Sequence, residues 1–316
     1  MSEKGEIIMS VEHITKTFPA EGNRQLVAVN DVSVHVRRAE TVAIVGESGC
    51  GKSTLVKTIM NMHAPDSGKV IFRGQDTTKL TGEAKRQNYR HIQMVFQDPT
   101  SAFNPRMKIG EIVAEPLLNF DLVKKSESAA KVKKLLELVE LSGEFIDRYP
   151  HELSGGQRQR VAIARALALD PEIIVCDEAT SALDVSVQDT IIKLLVKLQQ
   201  EKGVTYIFIC HDLALVSLFA QRVMVMYLGS VMEKIDGAKL AEAKHPYTQA
   251  LLKAVFPVTT GGSEIATLTG DIPSPLDAPA GCPFSTRCEK CAAICKKEKP
   301  ELRELDENHF VACHFA

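Results

Sequence analysis

No stretch of this chain approaches the run of about 18 apolar residues that a membrane-spanning helix needs, so the sequence predicts no bilayer crossing. Neither sign of charge is in excess. Lys and Arg number 38 against 40 Asp and Glu, and the formal charge is −2. With an isoelectric point near 6.5 there is no global basic footprint for nucleic acid or anionic lipid, and the one Arg-rich run, Arg158 to Arg165, falls inside a predicted helix. The start, Met1-Ser-Glu-Lys-Gly-Glu6, lacks the basic and apolar regions of a signal peptide. Internal repeats and low-complexity tracts are absent too. Cysteine is sparse until the end: Cys50, Cys176 and Cys210 are scattered, whereas Cys282, Cys288, Cys291, Cys295 and Cys313 crowd the last 35 residues. These features predict a cytoplasmic chain without a nucleic-acid partner, and in a reducing compartment the terminal crowding predicts metal rather than disulfides.

What is present is globular. A chain of 316 residues with 45% apolar content can bury a full core, and its size fits one large domain plus something smaller. The first 40 residues alternate polar and apolar (Ile8, Val11, Ile14; Val27, Val29, Val32, Val34, Val36) around Glu21-Gly-Asn23, which predicts antiparallel strands and a turn. Strands are also expected at Thr41 to Val45, Lys69 to Phe72 and His91 to Gln97. Residues 98–150 lose strand character, and Ala129, Val132, Leu136 and Val139 recur at helical spacing within Ser126 to Leu141, as an inserted helical subdomain would show. Helix Gln157 to Leu169, strand Ile173 to Asp177, helix Val187 to Gln200 closed by Gly203, strand Thr205 to Cys210 and a hairpin from Arg222 to Val231 follow. This alternation predicts an α/β fold with a mostly parallel sheet. Beyond about residue 255 the chain turns rich in Gly, Pro and Cys, and a domain boundary is expected there.

Gly46-Glu-Ser-Gly-Cys-Gly-Lys-Ser-Thr54 satisfies G-x-x-x-x-G-K-[ST], between a predicted strand and a predicted helix at Lys52 to Met62. In such a loop glycines let backbone N–H groups turn toward phosphate, a lysine reaches the β/γ-phosphates and a hydroxyl takes Mg²⁺. Gly46, Glu47, Ser48, Gly49, Cys50, Gly51, Lys52, Ser53 and Thr54 are therefore candidate ATP contacts, with Ser53 a Mg²⁺ ligand. A surface glycine turn is the plain alternative. Asp177 ends an apolar run and is expected at the carboxyl edge of a strand, where it would hold Mg²⁺ through water. Glu178 follows as candidate base for the attacking water. Leu153, Ser154, Gly155, Gly156 and Gln157 form a second glycine loop running into a helix, a second anion site about a hundred residues from the first.

That loop, followed by Arg158-Gln-Arg-Val-Ala-Ile-Ala-Arg165, resembles the signature of ATP-binding-cassette ATPases. The resemblance implies an ABC ATPase fold with an N-terminal antiparallel β subdomain, an inserted helical subdomain and a small Cys-rich C-terminal extension. It also implies a head-to-tail dimer in which each signature loop closes on the partner's ATP. It further assigns Gln97 to the Q-loop as a Mg²⁺ and water contact, Ser181 and Asp184 to the D-loop, His211 to the switch touching the γ-phosphate, and Phe18 to adenine stacking. Taken alone, His211 fits a structural histidine and Phe18 fits simple packing. Ala179 departs from the family, which usually has proline after the glutamate.

Val45-Gly-Glu-Ser-Gly-Cys-Gly-Lys52, Phe96-Gln-Asp-Pro-Thr-Ser-Ala-Phe-Asn-Pro-Arg106, Tyr149-Pro-His-Glu-Leu153 and His245-Pro-Tyr-Thr-Gln-Ala-Leu251 resemble the ATPases of oligopeptide and dipeptide importers. Gln157-Arg-Gln-Arg160 resembles the F-type chain of their ATPase pair. The implied partners are a second ABC ATPase, two transmembrane permease subunits and an extracytoplasmic substrate-binding protein, with this chain peripheral on the cytoplasmic side of the membrane. The same family also imports nickel, glutathione and oligosaccharides. Cys282, Cys288, Cys295 and Cys313 fit a four-cysteine pattern that the resemblance associates with a [4Fe–4S] cluster. Spacing alone would equally let Cys288, Cys291 and Cys295 hold Zn²⁺. The implied domains are residues 1–255 and 256–316. A rival class, a soluble cassette acting on ribosomes or DNA, usually carries two cassettes or a long coiled coil. A regulatory subunit that binds ATP without using it would lack Glu178.

Overall fold

The structure, a computed structural model, describes residues 5–99, 101–255 and 272–316. Residues 1–4, on which much of the leader expectation rests, Thr100 in the Phe96 to Arg106 stretch, and the segment just past the expected boundary at 255 lie outside the described residues.

In chain order the elements are β1 (Ile7–Ala20), β2 (Arg24–Arg37), β3 (Thr41–Val45), α1 (Lys52–Ile59), β4 (Ser67–Phe72), β5 (Gln75–Asp76), α2 (Gly82–His91), β6 (Ile92–Val95), α3 (Ile109–Asn119), α4 (Lys125–Leu138) and α5 (Gly155–Leu167). They continue with β7 (Ile173–Asp177), α6 (Val185–Lys202), β8 (Thr205–Cys210), α7 (Leu213–Ser217), β9 (Arg222–Tyr227), β10 (Ser230–Asp236), α8 (Pro246–Val255), α9 (Ala293–Lys297), β11 (Arg303–Asp306) and β12 (His309–Val311). They group into two compact units. One contains the residues up to Leu80 and those from Ile209 onward, and the other is Thr81–Phe208.

In the first unit β2, β1, β4 and β5 form an antiparallel sheet in that order, as the alternating start predicts. The buried valines of β2 change phase between Val29 and Val32, because Asp31 takes a left-handed backbone (φ 53°), as His13 does on β1 (φ 52°), and the register shifts there. That bulge keeps Val29, Val32, Val34 and Val36 all on the core face although their spacing is not strictly two. A second set of strands runs β11-β12-β10-β9-β3. Here β3 and β9 are parallel, whereas β9–β10, β10–β12 and β12–β11 are antiparallel, so this sheet is mixed rather than mostly parallel. The cause is local: Leu228 and Gly229 both have positive φ, the two-residue turn that folds a strand directly back on its neighbour.

In the second unit the order is β8-β7-β6, with β6 and β7 parallel. Every residue of β7 is buried. Its helical part packs α3 and α4 on each other and on α5 through Ile112, Val113, Val132, Leu136, Val161 and Ala164. The periodicity that predicted a helix at Ser126 to Leu141 is met by α4, three residues shorter at its end. Among the described residues no helix is long and apolar enough to cross a membrane.

Candidate functional site

The phosphate loop connects β3 to α1 in the first unit. All five β3 residues are buried, and α1 starts at Lys52 behind Gly51, which sits at φ 100°. A Cβ on Gly51 would lie 2.0 Å from the Ala28 carbonyl oxygen, and one on Gly46 would lie 2.2 Å from that of Met226. Glycine is therefore required twice, by close backbone approach and once also by left-handed φ. Lys52 is buried, and its Nζ donates to the carbonyl oxygens of Gly46 (2.7 Å) and Glu47 (3.0 Å), spanning the loop it is expected to serve. Cys50 is buried beneath it, and burial raises its thiol pKa. Ser48 and Gly49 lie on the outside of the loop, while Ser53 and Thr54 open α1.

In the same unit Phe18 stands on β1 opposite Leu26, with the His63 ring edge-on at 5.6 Å and the Lys16 ammonium 5.4 Å from its centroid. His211 follows the fully buried β8 and is exposed, just before Asp212, whose carboxylate caps α7.

In the second unit the end of β7 carries Asp177, which is buried, and Glu178, which has a left-handed backbone at φ 48°. A non-glycine residue there costs of order 1–3 kcal/mol, a strain that concentrates at functional positions. Gln97, past the end of β6, donates its Nε2 to Glu178 Oε2 at 2.9 Å and to Ser181 Oγ at 3.3 Å. Ser181 Oγ in turn donates to the Glu178 carbonyl at 3.0 Å. Gln97 and Ser181 thus gather on Glu178, the first at its carboxylate and the second at its backbone carbonyl. Buried Ala179 occupies the position where the family usually has proline.

The second glycine loop opens α5 with a reciprocal cap. Ser154 Oγ accepts from the Gln157 amide at 3.3 Å, and Gln157 Oε1 accepts from the Ser154 amide at 2.9 Å. Leu153 is buried and anchors the loop, while Ser154 and Gly155 are exposed. A Cβ on Gly156 would lie 2.6 Å from Val187 Cγ1, so this glycine lets α5 start against α6. Asp184 caps α6 by accepting from the Val187 amide at 3.0 Å, and hydrogen bonds led by the Ser186 hydroxyl lower its carboxyl pKa.

The C-terminal cysteines belong to the first unit. Cys282, Cys288, Cys295 and Cys313 line one cavity with Phe284 and His245, and Cys291 is not among its lining residues. All are free thiols, and burial pushes Cys282 up to about 11. Among the described residues no three His, Cys, Asp or Glu side chains converge closely enough to hold a metal ion.

Sequence reasoning passed over Arg287 and used Tyr247 only as part of a family word. Arg287 forms a two-pronged ion pair with Glu47 of the phosphate loop, at 2.7 and 3.1 Å, and the Tyr247 hydroxyl accepts from the Glu47 amide at 3.0 Å. The available signal was an acid inside a phosphate-binding loop, which requires a counter-charge from somewhere.

The ABC transporter family matches residues 29–181, and the oligopeptide/dipeptide transporter C-terminal region matches residues 236–295. Oligopeptide transport ATP-binding protein AppF of Bacillus subtilis is 45% identical over 98% of this chain and 97% of its own length. Oligopeptide transport ATP-binding protein OppF of Haemophilus influenzae is 42% identical over 99% and 98%. Among solved structures, cbiO1 of Clostridium perfringens, part of the ABC transporter complex cbiONQ, superposes with TM-score 0.68 at 28% identity, covering 78% of this chain and 96% of its own. The dimeric cassette MJ0796, bound to ADP and Pi after hydrolysis, gives 0.66 at 33% identity, with 72% and 98% coverage. With a phosphate loop, a capped signature-type loop and full-length relatives in agreement, the chain belongs to the ABC transporter ATP-binding proteins, ATPases whose hydrolysis is coupled to transport, in the branch that carries the oligopeptide/dipeptide transporter C-terminal region.

Proposed function

We propose that this chain is the ATP-hydrolysing subunit of an importer that moves di- or oligopeptides across the cytoplasmic membrane, working from its cytoplasmic face. The observation that carries the hydrolytic reading is the Gln97 to Glu178 hydrogen bond, which orients a carboxylate at a strand end beside a strained backbone. In this reading Lys52 and the loop amides of residues 46–54 bind the phosphates, and Phe18 packs on the base. Glu178 takes the proton of the attacking water, Gln97 holds that water and carboxylate in register, and His211 contacts the γ-phosphate. Mg²⁺ would neutralise charge on the phosphates. Ser53, Asp177 and Gln97 would hold it, and their hydroxyl, carboxylate and amide oxygens are the hard donors Mg²⁺ prefers.

The exposed N-terminus of α5 at Ser154 and Gly155 suits a phosphate brought by a second cassette, with Ser181 and Asp184 at that contact. Dimerisation with a second ATPase chain, two permease subunits and an extracytoplasmic binding protein completes the assembly, with the helices between residues 98 and 150 as the seat for the permeases. Peptide cargo is supported by the names of the relatives and by the C-terminal region. The ATP-binding domain is residues 1–255, and residues 256–316 are the extension.

For the extension we propose a [4Fe–4S] cluster held by Cys282, Cys288, Cys295 and Cys313. Support comes from four thiols lining a single cavity, the number and type of ligand such a cluster takes, with Zn²⁺ on the same thiols as the alternative. Such a group would tie together a segment poor in apolar periodicity.

The test is affinity capture of the Glu178→Gln protein from detergent-solubilised membranes with ATP and Mg²⁺, followed by mass spectrometry. Two multispanning subunits, a second cassette chain and an extracytoplasmic binding protein support the importer, and the ligand on that binding protein identifies the cargo. Ribosomal or DNA-bound partners without membrane subunits would refute it.

A further inference from the structure

Glu47 is an unexpected residue for its place, because its carboxylate sits in the loop that must receive the negative charges of ATP. All its polar groups are engaged within the first unit. Its amide donates to the Tyr247 hydroxyl at 3.0 Å, its carbonyl accepts from Lys52 Nζ at 3.0 Å, and its carboxylate meets both terminal nitrogens of Arg287 at 2.7 and 3.1 Å. The Arg287 side chain is only 4% exposed and that of Glu47 22%. This is a desolvated, fork-to-fork pair, the arrangement in which arginine fixes direction as well as charge. Arg287 is held in turn. Its Nη1 reaches the Tyr227 hydroxyl at 3.4 Å, and its amide donates to the Phe284 carbonyl at 3.1 Å. The Phe284 ring packs against Tyr227 and Tyr247 at 5.4 and 5.2 Å.

We propose that Arg287, from the C-terminal cysteine segment, is a positioning residue of the phosphate loop: it turns the Glu47 carboxylate away from the phosphates and neutralises it, so that the loop amides are free to bind ATP. Without Arg287 the carboxylate is left partly buried with no guanidinium, in a loop that then repels the nucleotide. The proposal does not depend on what the cysteine cavity holds.

The test is calorimetric titration of the full chain with ATP and Mg²⁺ for Arg287→Met, Arg287→Lys, Glu47→Gln and the double variant Glu47→Gln/Arg287→Met. Arg287→Met is expected to weaken ATP binding about tenfold, the scale of a lost charge-assisted hydrogen bond. The KM for ATP should rise in parallel, while kcat at saturating ATP stays within about twofold. The double variant should bind ATP better than Arg287→Met alone, because the repelling charge is gone. Arg287→Lys, which keeps the charge but not the fork, should fall between Met and the parent, and it serves if the Met variant does not fold. Thiol labelling of Cys282 and Cys295 at the parental rate shows that the segment is intact. Unchanged ATP affinity in Arg287→Met, or a double variant as weak as the single, would overturn the proposal.

Discussion

Gln97 and Glu178, 81 residues apart in sequence, are joined by a hydrogen bond of 2.9 Å from the amide nitrogen to one carboxylate oxygen. The amide engages one of the two carboxylate oxygens, and the left-handed backbone at Glu178 fixes the direction in which the side chain leaves the strand end.

Replacing Glu178 with Gln keeps its size and an acceptor for the Gln97 amide but removes the carboxylate proposed as the base. ATP turnover should fall by roughly 10²–10⁴-fold, the usual range for general base catalysis, with ATP binding retained. Steady-state ATPase assays alongside nucleotide titration check this, and near-parental turnover would remove Glu178 from the role of base.

Gly51 and Gly49 both have positive φ, but only Gly51 also faces a backbone atom, the Ala28 carbonyl. Gly51→Ala should destabilise the protein by about 3 kcal/mol or more and abolish ATP binding, since strain and clash add at one residue. Gly49→Ala meets nothing within 4 Å and should cost about 1–2 kcal/mol from φ alone. Thermal melts of the two variants distinguish these cases, and equal losses would show that the approach to Ala28 does not matter.

Lys234 on β10 lines a cavity with Val34, Val42, Met224 and Ile235, its ammonium 5.6 Å from the Phe310 centroid. Desolvation, and then the charge of Arg222, lowers its pKa from 10.5 to about 8. Below pH 8 the lysine is charged in both folded and unfolded states, and the fold carries the full burial penalty. Between pH 8 and 10.5 the unfolded chain binds more protons than the folded one, so stability contributed by this group rises with pH. Lys234→Met should therefore stabilise the protein at pH 7 by up to about 3 kcal/mol, with the gain shrinking as pH rises through that window. Chemical denaturation at pH 7, 8 and 10 checks it, and a loss of stability at pH 7 contradicts it.

Of the five C-terminal cysteines, only Cys291 is missing from the lining of the shared cavity. Iron and sulfide measured on anaerobically purified protein should be unchanged in Cys291→Ser and sharply reduced in Cys295→Ser. Zinc in place of iron would replace the cluster with a mononuclear site, and absence of both metals would remove the metal reading altogether.

Much of the frame could be read from the order of residues. Thr41–Val45, Ile173–Asp177 and Thr205–Cys210 were expected as strands with the same ends that the structure gives them, because each is an apolar run closed by a glycine or a polar residue. Gly203 was expected to end α6, and it does so at φ 67°. By contrast, α2 (Gly82–His91) left no signal, since Ala84 and Tyr89 are its only apolar residues and no stripe can form. The bulge at Asp31 was visible only as an unexplained change of phase among the β2 valines.

By itself, then, the sequence determined the strands and helices flanking the two glycine loops, where the phosphate loop lies, and which side chains carry charge suited to phosphate chemistry. Such features depend on local periodicity and on residue types at fixed spacing, which act over a few residues. Only the tertiary structure decided that Gln97 meets Glu178, that four of five cysteines share a cavity, that β10 and β12 make their sheet mixed, and that Arg287 neutralises Glu47 from 240 residues away. Those pairings arise from burial: groups distant in sequence are forced together when the core excludes water, and a buried charge persists only where the fold supplies its partner.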